Sequence, residues 1–248
     1  DVNNDNIDEI IYEDGQWGEV HCVNATSHTQ MWQVSNPEHG FTRISIADFD
    51  NDGAEEIMWG AGASSSGEDI LYVANYATNT IEWSSIAIDG PYEAIDVADI
   101  DGDGTLELVA ISNESSSSYE SGILSIFDAN TKTLEWQSDG NFFYQVWTGI
   151  HDVKINDIDN DGDMEIIVAA GETYTGEIWI VDGTTKVIQS SYIYQTENLD
   201  EFYTLDIADV DNDGQKEIIV GGSEVSIINP INFAIEWSSS NIFSEGGN

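Results

Sequence analysis

Asp157-Ile-Asp-Asn-Asp-Gly-Asp-Met-Glu165 runs directly into Ile166-Ile-Val-Ala-Ala-Gly171, an acidic loop joined to an apolar strand. The pattern recurs. Asp48-Phe-Asp-Asn-Asp-Gly-Ala-Glu-Glu56 leads into Ile57-Met-Trp-Gly60, and Asp99-Ile-Asp-Gly-Asp-Gly-Thr-Leu-Glu107 leads into Leu108-Val-Ala-Ile111. Asp209-Val-Asp-Asn-Asp-Gly-Gln-Lys-Glu217 leads into Ile218-Ile-Val-Gly-Gly222. A worn copy, Asp1-Val-Asn-Asn-Asp-Asn-Ile-Asp-Glu9, runs into Ile10-Ile-Tyr12. The copies start at residues 1, 48, 99, 157 and 209, spaced by 47 to 58 residues. An internal period of this length marks a repeat architecture and makes residues 1–248 a single domain.

The segments between the loops repeat as well. A short apolar run is followed by a Gly- and Ser-rich connector (60–67, 112–122, 171–176) and then by an alternating run such as Ile70-Leu-Tyr-Val73 or Ile178-Trp-Ile-Val181. Alternation with period two reads as a half-buried strand. A turn rich in Asx, Gly and Thr comes next, then a run marked by Trp32, Trp83, Trp136 or Trp237, with Val187-Ile-Gln189 in the fourth repeat. A last strand, such as His151-Asp-Val-Lys-Ile155, enters the next loop. No segment keeps a helical period. Four strands per repeat predict an all-β fold, a β-propeller of about five visible blades. Solenoid repeats are much shorter, and a sandwich would not repeat its sequence so closely. The first repeat begins at its loop, so blade one is expected to lack one strand. Membership of a larger propeller, or a neighbouring chain, would complete it.

The charge narrows the partners. Against 48 acidic residues stand five basic ones, a formal net charge of −43. The five loops hold 22 of those acids. Such a surface repels nucleic acid and anionic lipid, suits divalent cations, and tolerates high salt, where self-repulsion is screened. No apolar run reaches the length of a membrane span. Cys22 is the one cysteine, so no internal disulfide forms. The four histidines fall at unrelated phases of the repeat and read as surface or core residues. Asp101-Gly-Asp-Gly-Thr105 matches a phosphatase nucleophile motif, but that chemistry needs a βα unit after it, and a strand follows here. No nucleophile–base pairing stands out, and the expectation is a protein that is not an enzyme.

The loops carry the chemistry. Counting from the first residue of each, positions 1, 3 and 5 are Asp1, Asn3 and Asp5; Asp48, Asp50 and Asp52; Asp99, Asp101 and Asp103; Asp157, Asp159 and Asp161; and Asp209, Asp211 and Asp213. Position 6 is Gly in four copies, which permits a sharp turn. Position 7 (Ile7, Ala54, Thr105, Asp163, Gln215) offers a backbone carbonyl, and position 9 is Glu9, Glu56, Glu107, Glu165 or Glu217. Alternating acids on a tight turn aim hard oxygens at one centre, as Ca²⁺ requires with its six to eight ligands at about 2.3–2.6 Å. Soft and nitrogen ligands are absent, which argues against zinc and copper. The loop is no EF-hand, because the acid at position 12 and the flanking helices are missing. Four to five Ca²⁺ ions are expected, with the first loop weakened by Asn3 and Asn6.

The Asp-x-Asp-x-Asp-Gly-x-x-Glu loop running into Ile-Ile-Val-x-x-Gly resembles the FG-GAP/VCBS repeat of integrin-α-like β-propellers and of many secreted or surface-attached prokaryotic proteins. The resemblance covers the whole chain. It implies a propeller, calcium in the hairpin loops, an extracellular or cell-surface setting, and seven blades as the common number. The reading is an adhesion, surface-structural or assembly module whose partner is a surface protein, a glycan or another copy of itself. A carbohydrate-binding module and the scaffold of a secreted polysaccharide-degrading enzyme are the alternatives. Recurrent tryptophans read as blade packing. The aromatics off that phase (Trp17, Trp59, Tyr119, Phe142, Phe143, Tyr144, Trp147, Tyr192, Tyr194) are the candidates for a ligand face.

Overall fold

The computed structural model describes residues 1–3, 5–15, 18–38, 40, 44–60, 69–114, 122–143, 149–172, 175–195 and 201–240. Among these the chain forms nineteen β-strands and no helix. Blade one holds β1 (Glu9–Glu13), β2 (Glu19–Asn24) and β3 (Gln30–Ser35). Blade two holds β4 (Ser45–Ala47), β5 (Glu56–Gly60), β6 (Leu71–Asn75) and β7 (Thr80–Ser84). Blade three holds β8 (Tyr92–Ala98), β9 (Glu107–Asn113), β10 (Gly122–Asp128) and β11 (Thr133–Gln137). Blade four holds β12 (Ile150–Asn156), β13 (Glu165–Glu172), β14 (Thr175–Asp182) and β15 (Ile188–Gln195). Blade five holds β16 (Thr204–Ala208), β17 (Glu217–Gly221), β18 (Val225–Ile228) and β19 (Ile235–Ser238). Each is an antiparallel meander in chain order, and blade one has the three strands that its sequence predicts.

The apolar core lies between blades. Along β13, Ile166, Val168 and Ala170 pack toward blade three, while Ile167 and Ala169 pack toward blade five. Successive side chains point to opposite faces of a strand, so a strand covered on both faces must be continuously apolar. That is why the runs after the loops show no alternation. Four such clusters join the five blades in order. Ile10 and Tyr12, on the face of blade one that no described blade covers, are exposed.

Polar pins cross the same interfaces near the inner strands. Asp96 Oδ2 accepts from the Ile155 amide at 2.8 Å, and Asp152 Oδ2 accepts from the Leu205 amide at 2.5 Å. Asn113 Oδ1 accepts from the Ile150 amide at 3.0 Å while its Nδ2 donates to the Ile150 carbonyl at 3.3 Å. An open cavity of about 500 Å³ is lined by residues of four blades, among them Tyr12, Ser45, Asp96 and Lys154. In blades two to five, each inner strand turns through an acidic hairpin into the second strand, so all these hairpins emerge on one side.

Candidate metal centres in the blade hairpins

Each hairpin is built by its own side chains. The position-1 carboxylate accepts from the amide at position 6: Asp48 Oδ2 from Gly53, Asp157 Oδ2 from Gly162 and Asp209 Oδ2 from Gly214 at 3.1 Å, and Asp99 Oδ2 from Gly104 at 3.0 Å. Asp101, Asp159 and Asp211 at position 3 accept from the position-5 amides at 3.1–3.2 Å. The position-5 carboxylates Asp52, Asp103, Asp161 and Asp213 cap the amides of Ala54, Thr105, Asp163 and Gln215 at 2.7–2.9 Å. These local bonds are the alternative to sheet pairing that Asp and Asn offer a turn.

The glutamate at position 9 closes the hairpin from the strand side. Its Oε2 accepts from the amide at position 2: Glu56 from Phe49, Glu107 from Ile100 and Glu217 from Val210 at 2.9 Å, and Glu165 from Ile158 at 3.1 Å. Phe49, Ile100 and Ile158 are themselves buried and plug the base of the hairpin. Position 2 was not among the residues singled out from the sequence, although it is Val, Phe or Ile in every copy.

Among the described residues, four groups of carboxylates converge, each with one ligand oxygen per residue within 4.8 Å of the others: Asp48, Asp50 and Glu56; Asp99, Asp101 and Glu107; Asp157, Asp159 and Glu165; and Asp209, Asp211 and Glu217. Positions 1, 3 and 9 of the expected ligand set are therefore brought together. The position-5 aspartates stand outside these groups, on their turn amides. In the first hairpin Asp1, Asn3, Asp5 and Glu9 keep the same turn, with Asp1 Oδ2 accepting from Asn6 at 2.6 Å, Asp5 Oδ1 accepting from Ile7 at 2.9 Å and Glu9 Oε2 accepting from Val2 at 3.1 Å. There Asn3 Nδ2 donates to Glu9 Oε1 at 3.1 Å, so a neutral amide supplies a hydrogen-bond donor where the other hairpins place a second carboxylate.

The donor set fits a hard divalent cation. Asp48 Oδ1, Asp50 Oδ1 and Asp157 Oδ1 are buried with no hydrogen-bond partner. A buried acceptor left unpaired is costly, and a cation removes that cost. Burial first, and then the neighbouring aspartates, push Glu56, Glu107 and Glu165 up to about 7, and the same causes raise Glu217. Crowded carboxylates that resist ionising are what a bound cation relieves.

The expected ligand-face aromatics fare differently. Trp59, Phe143 and Tyr194 are core residues, Trp59 being held by a bond from Nε1 to Asn36 Oδ1 at 3.1 Å. Tyr192 is exposed and stacks on Phe233 at 5.5 Å. Phe142 packs edge-on against Trp136 at 5.4 Å. Trp17, Tyr119, Tyr144 and Trp147 lie outside the described residues. The burial of Trp59, Phe143 and Tyr194 follows from the interface between blades, which claims large apolar side chains before any ligand does. Two of the recurrent tryptophans pack blade on blade, Trp32 stacking on Tyr76 at 6.1 Å and Trp83 meeting Phe127 at 5.5 Å, whereas Trp237 is exposed.

The FG-GAP-like repeat matches residues 48–110 and 157–220, together just over half of the chain. No curated protein matches. Among solved structures, one described as the structure of the Dos1 propeller superposes with a TM-score of 0.63 at 11% identity, covering 97% of this chain and 58% of that one. The exotype rhamnogalacturonan lyase YesX is similar at a TM-score of 0.49 and 15% identity, covering 86% of this chain and 47% of that one. The chain thus spans about half the length of each of these structures.

Proposed function

Because the chain belongs to the FG-GAP-like repeat family, we propose that it is an extracellular, calcium-stabilised β-propeller serving adhesion, surface structure or assembly. One observation carries the reading: four hairpins each bring three carboxylates together, and buried oxygens in two of them lack any partner. Ca²⁺ would be held by Asp48, Asp50 and Glu56 and by their counterparts in the other hairpins, where it would supply positive charge and nothing else. The residues around it then do structural work: the position-6 glycine turns the chain, Phe49, Ile100 and Ile158 at position 2 anchor the base of their hairpins, and the position-9 glutamate ties loop to strand. Bound metal favours the folded state by mass action, roughly 1.4 kcal/mol per site at ten times the dissociation constant.

Calcium modules outside cells bind at about 10⁻⁴–10⁻³ M, a range filled in extracellular media and empty in cytosol. This supports the extracellular assignment. The partner is a surface protein, a glycan or another copy of the chain, and the protein performs no catalysis. Calorimetric melting in chelator and in millimolar calcium tests the calcium claim. Four sites should raise Tm by roughly 10 °C or more. An unchanged Tm would sink it. A glycan array then separates glycan binding from protein association.

A further inference from the structure

The acidic hairpins are not equivalent, and the difference comes from a residue outside them. Lys132, one of five basic residues in the chain, sits in the turn between β10 and β11 of blade three. It takes a left-handed φ of 54°, the place filled by His28, Asn79, Lys186 and Phe233 in the other blades. From there it reaches across the interface to blade two, where its Nζ lies 3.1 Å from Asp50 Oδ2. Both side chains are about three-quarters buried, at 26% and 23% exposure. Lys186, the equivalent residue of blade four, instead donates to the Gly183 carbonyl of its own turn. Among the described ion pairs, Lys132 is the only lysine on a hairpin carboxylate; Lys216 reaches the blade-four hairpin as well, but at the Asp157 backbone carbonyl and Asn156 Oδ1, 2.7 and 2.6 Å away. The second oxygen of Asp50, and Asp48 Oδ1 beside it, remain buried without a hydrogen-bond partner.

We propose that Lys132 is a resident cation of the blade-two hairpin, a positioning residue that neutralises Asp50 in the metal-free protein and lowers the calcium affinity of that one site. The proposal rests on the calcium reading given above. Its logic is electrostatic. An ammonium and a metal ion that share one carboxylate repel each other. Even at the dielectric of water, a single and a double charge about 5 Å apart shift a binding equilibrium by roughly tenfold. The ammonium also compensates part of the hairpin's charge when no metal is there. Blade three therefore sets both how well the blade-two hairpin holds together without calcium and how much calcium is needed to fill it.

The test is calcium titration calorimetry on the full chain and on Lys132→Gln, each with and without Asp48→Asn, which disables the blade-two hairpin. The difference between the paired isotherms reports that site alone. Lys132→Gln should bind calcium there about tenfold more tightly, and Lys132→Arg should match the wild type. In chelator, Lys132→Gln should melt below the wild type, with the gap closing at saturating calcium. Equal or weaker binding in Lys132→Gln, with wild-type binding intact, overturns the resident-cation proposal alone. Absence of calcium binding in the wild type overturns the calcium reading and this proposal together.

Discussion

Two positions in each hairpin need a backbone that most residues avoid. Position 6 has φ of 89°, 89°, 99° and 94° at Gly53, Gly104, Gly162 and Gly214. Position 4 also turns left-handed, at 56° for Asn51, 76° for Gly102, 63° for Asn160 and 62° for Asn212. The glycine at position 6 was legible as a turn residue. The Asn or Gly at position 4 was not, because Asn in an acidic loop reads first as one more polar side chain; its left-handed tolerance is what selects it. A Cβ added at Gly162 would meet no atom within 4 Å. Gly162→Ala should therefore cost only backbone strain, about 1–2 kcal/mol in urea unfolding of the metal-free protein; a cost near zero would mean the turn is not held at that angle. Glu93 makes a different residue-scale prediction. Burial pushes its carboxyl up to about 7, against the opposing bond from Asn113 Nδ2 at 2.9 Å. A folded-state pKa above the ordinary value means that the ionised form opposes folding. That penalty is complete above pH 7 and fades as pH falls toward about 4.5, where the unfolded chain protonates too. Glu93→Gln should raise Tm at pH 8 and leave it unchanged at pH 4. A lower Tm at pH 8 would show that the charge is needed there.

At the scale of the strand, every blade carries an irregularity between its last two strands. The register steps at Cys22/Val23, Val73/Ala74, Ile126/Phe127, Ile180/Val181 and Ile227/Ile228. In blade two, Val73 faces Trp83 and Ala74 faces Ile81, so Glu82 is the extra residue. Residues two apart in a regular strand share a face; a bulge re-aims one of them. Ile81 accordingly packs toward blade one and Trp83 toward blade three. The Ile-Glu-Trp signature was read as a strand with a packing tryptophan, and the bulge within it was not legible, since an inserted residue has no composition of its own. Trp83→Ala should cost about 3 kcal/mol in chemical denaturation, because the ring meets Phe127 of the next blade. Trp237, at the same phase in blade five and 52% exposed, should cost under about 1 kcal/mol when replaced by Ala. Equal costs would place the stabilisation in the strand rather than in the contact between blades. Asp152→Ala removes the acceptor of the Leu205 amide and should destabilise by about 3 kcal/mol, visible as a lower denaturation midpoint.

At the scale of the whole molecule, a stack of sheets with a net charge of −43 must offset its own repulsion. The chelated protein should gain Tm as NaCl rises from low concentration toward 1 M, where the screening length falls to about 3 Å. The gain should be smaller with calcium bound, since part of the charge is then already neutralised. Equal gains in the two states would argue against metal at the hairpins. Local pattern was enough to determine the repeat, the strand order, the acidic turns and the three-stranded first blade, because each depends on residues within one repeat and its period. Tertiary structure alone decided the rest. Which face of Ile166–Ala170 meets which neighbour, why Trp59 and Tyr194 are core, and why positions 1, 3 and 9 converge while position 5 stays on its turn all depend on how the chain is covered on both sides. The pairing of Lys132 with Asp50, 82 residues away, is the clearest case. Nothing near either residue announces it, because the contact exists only once two blades have packed face to face.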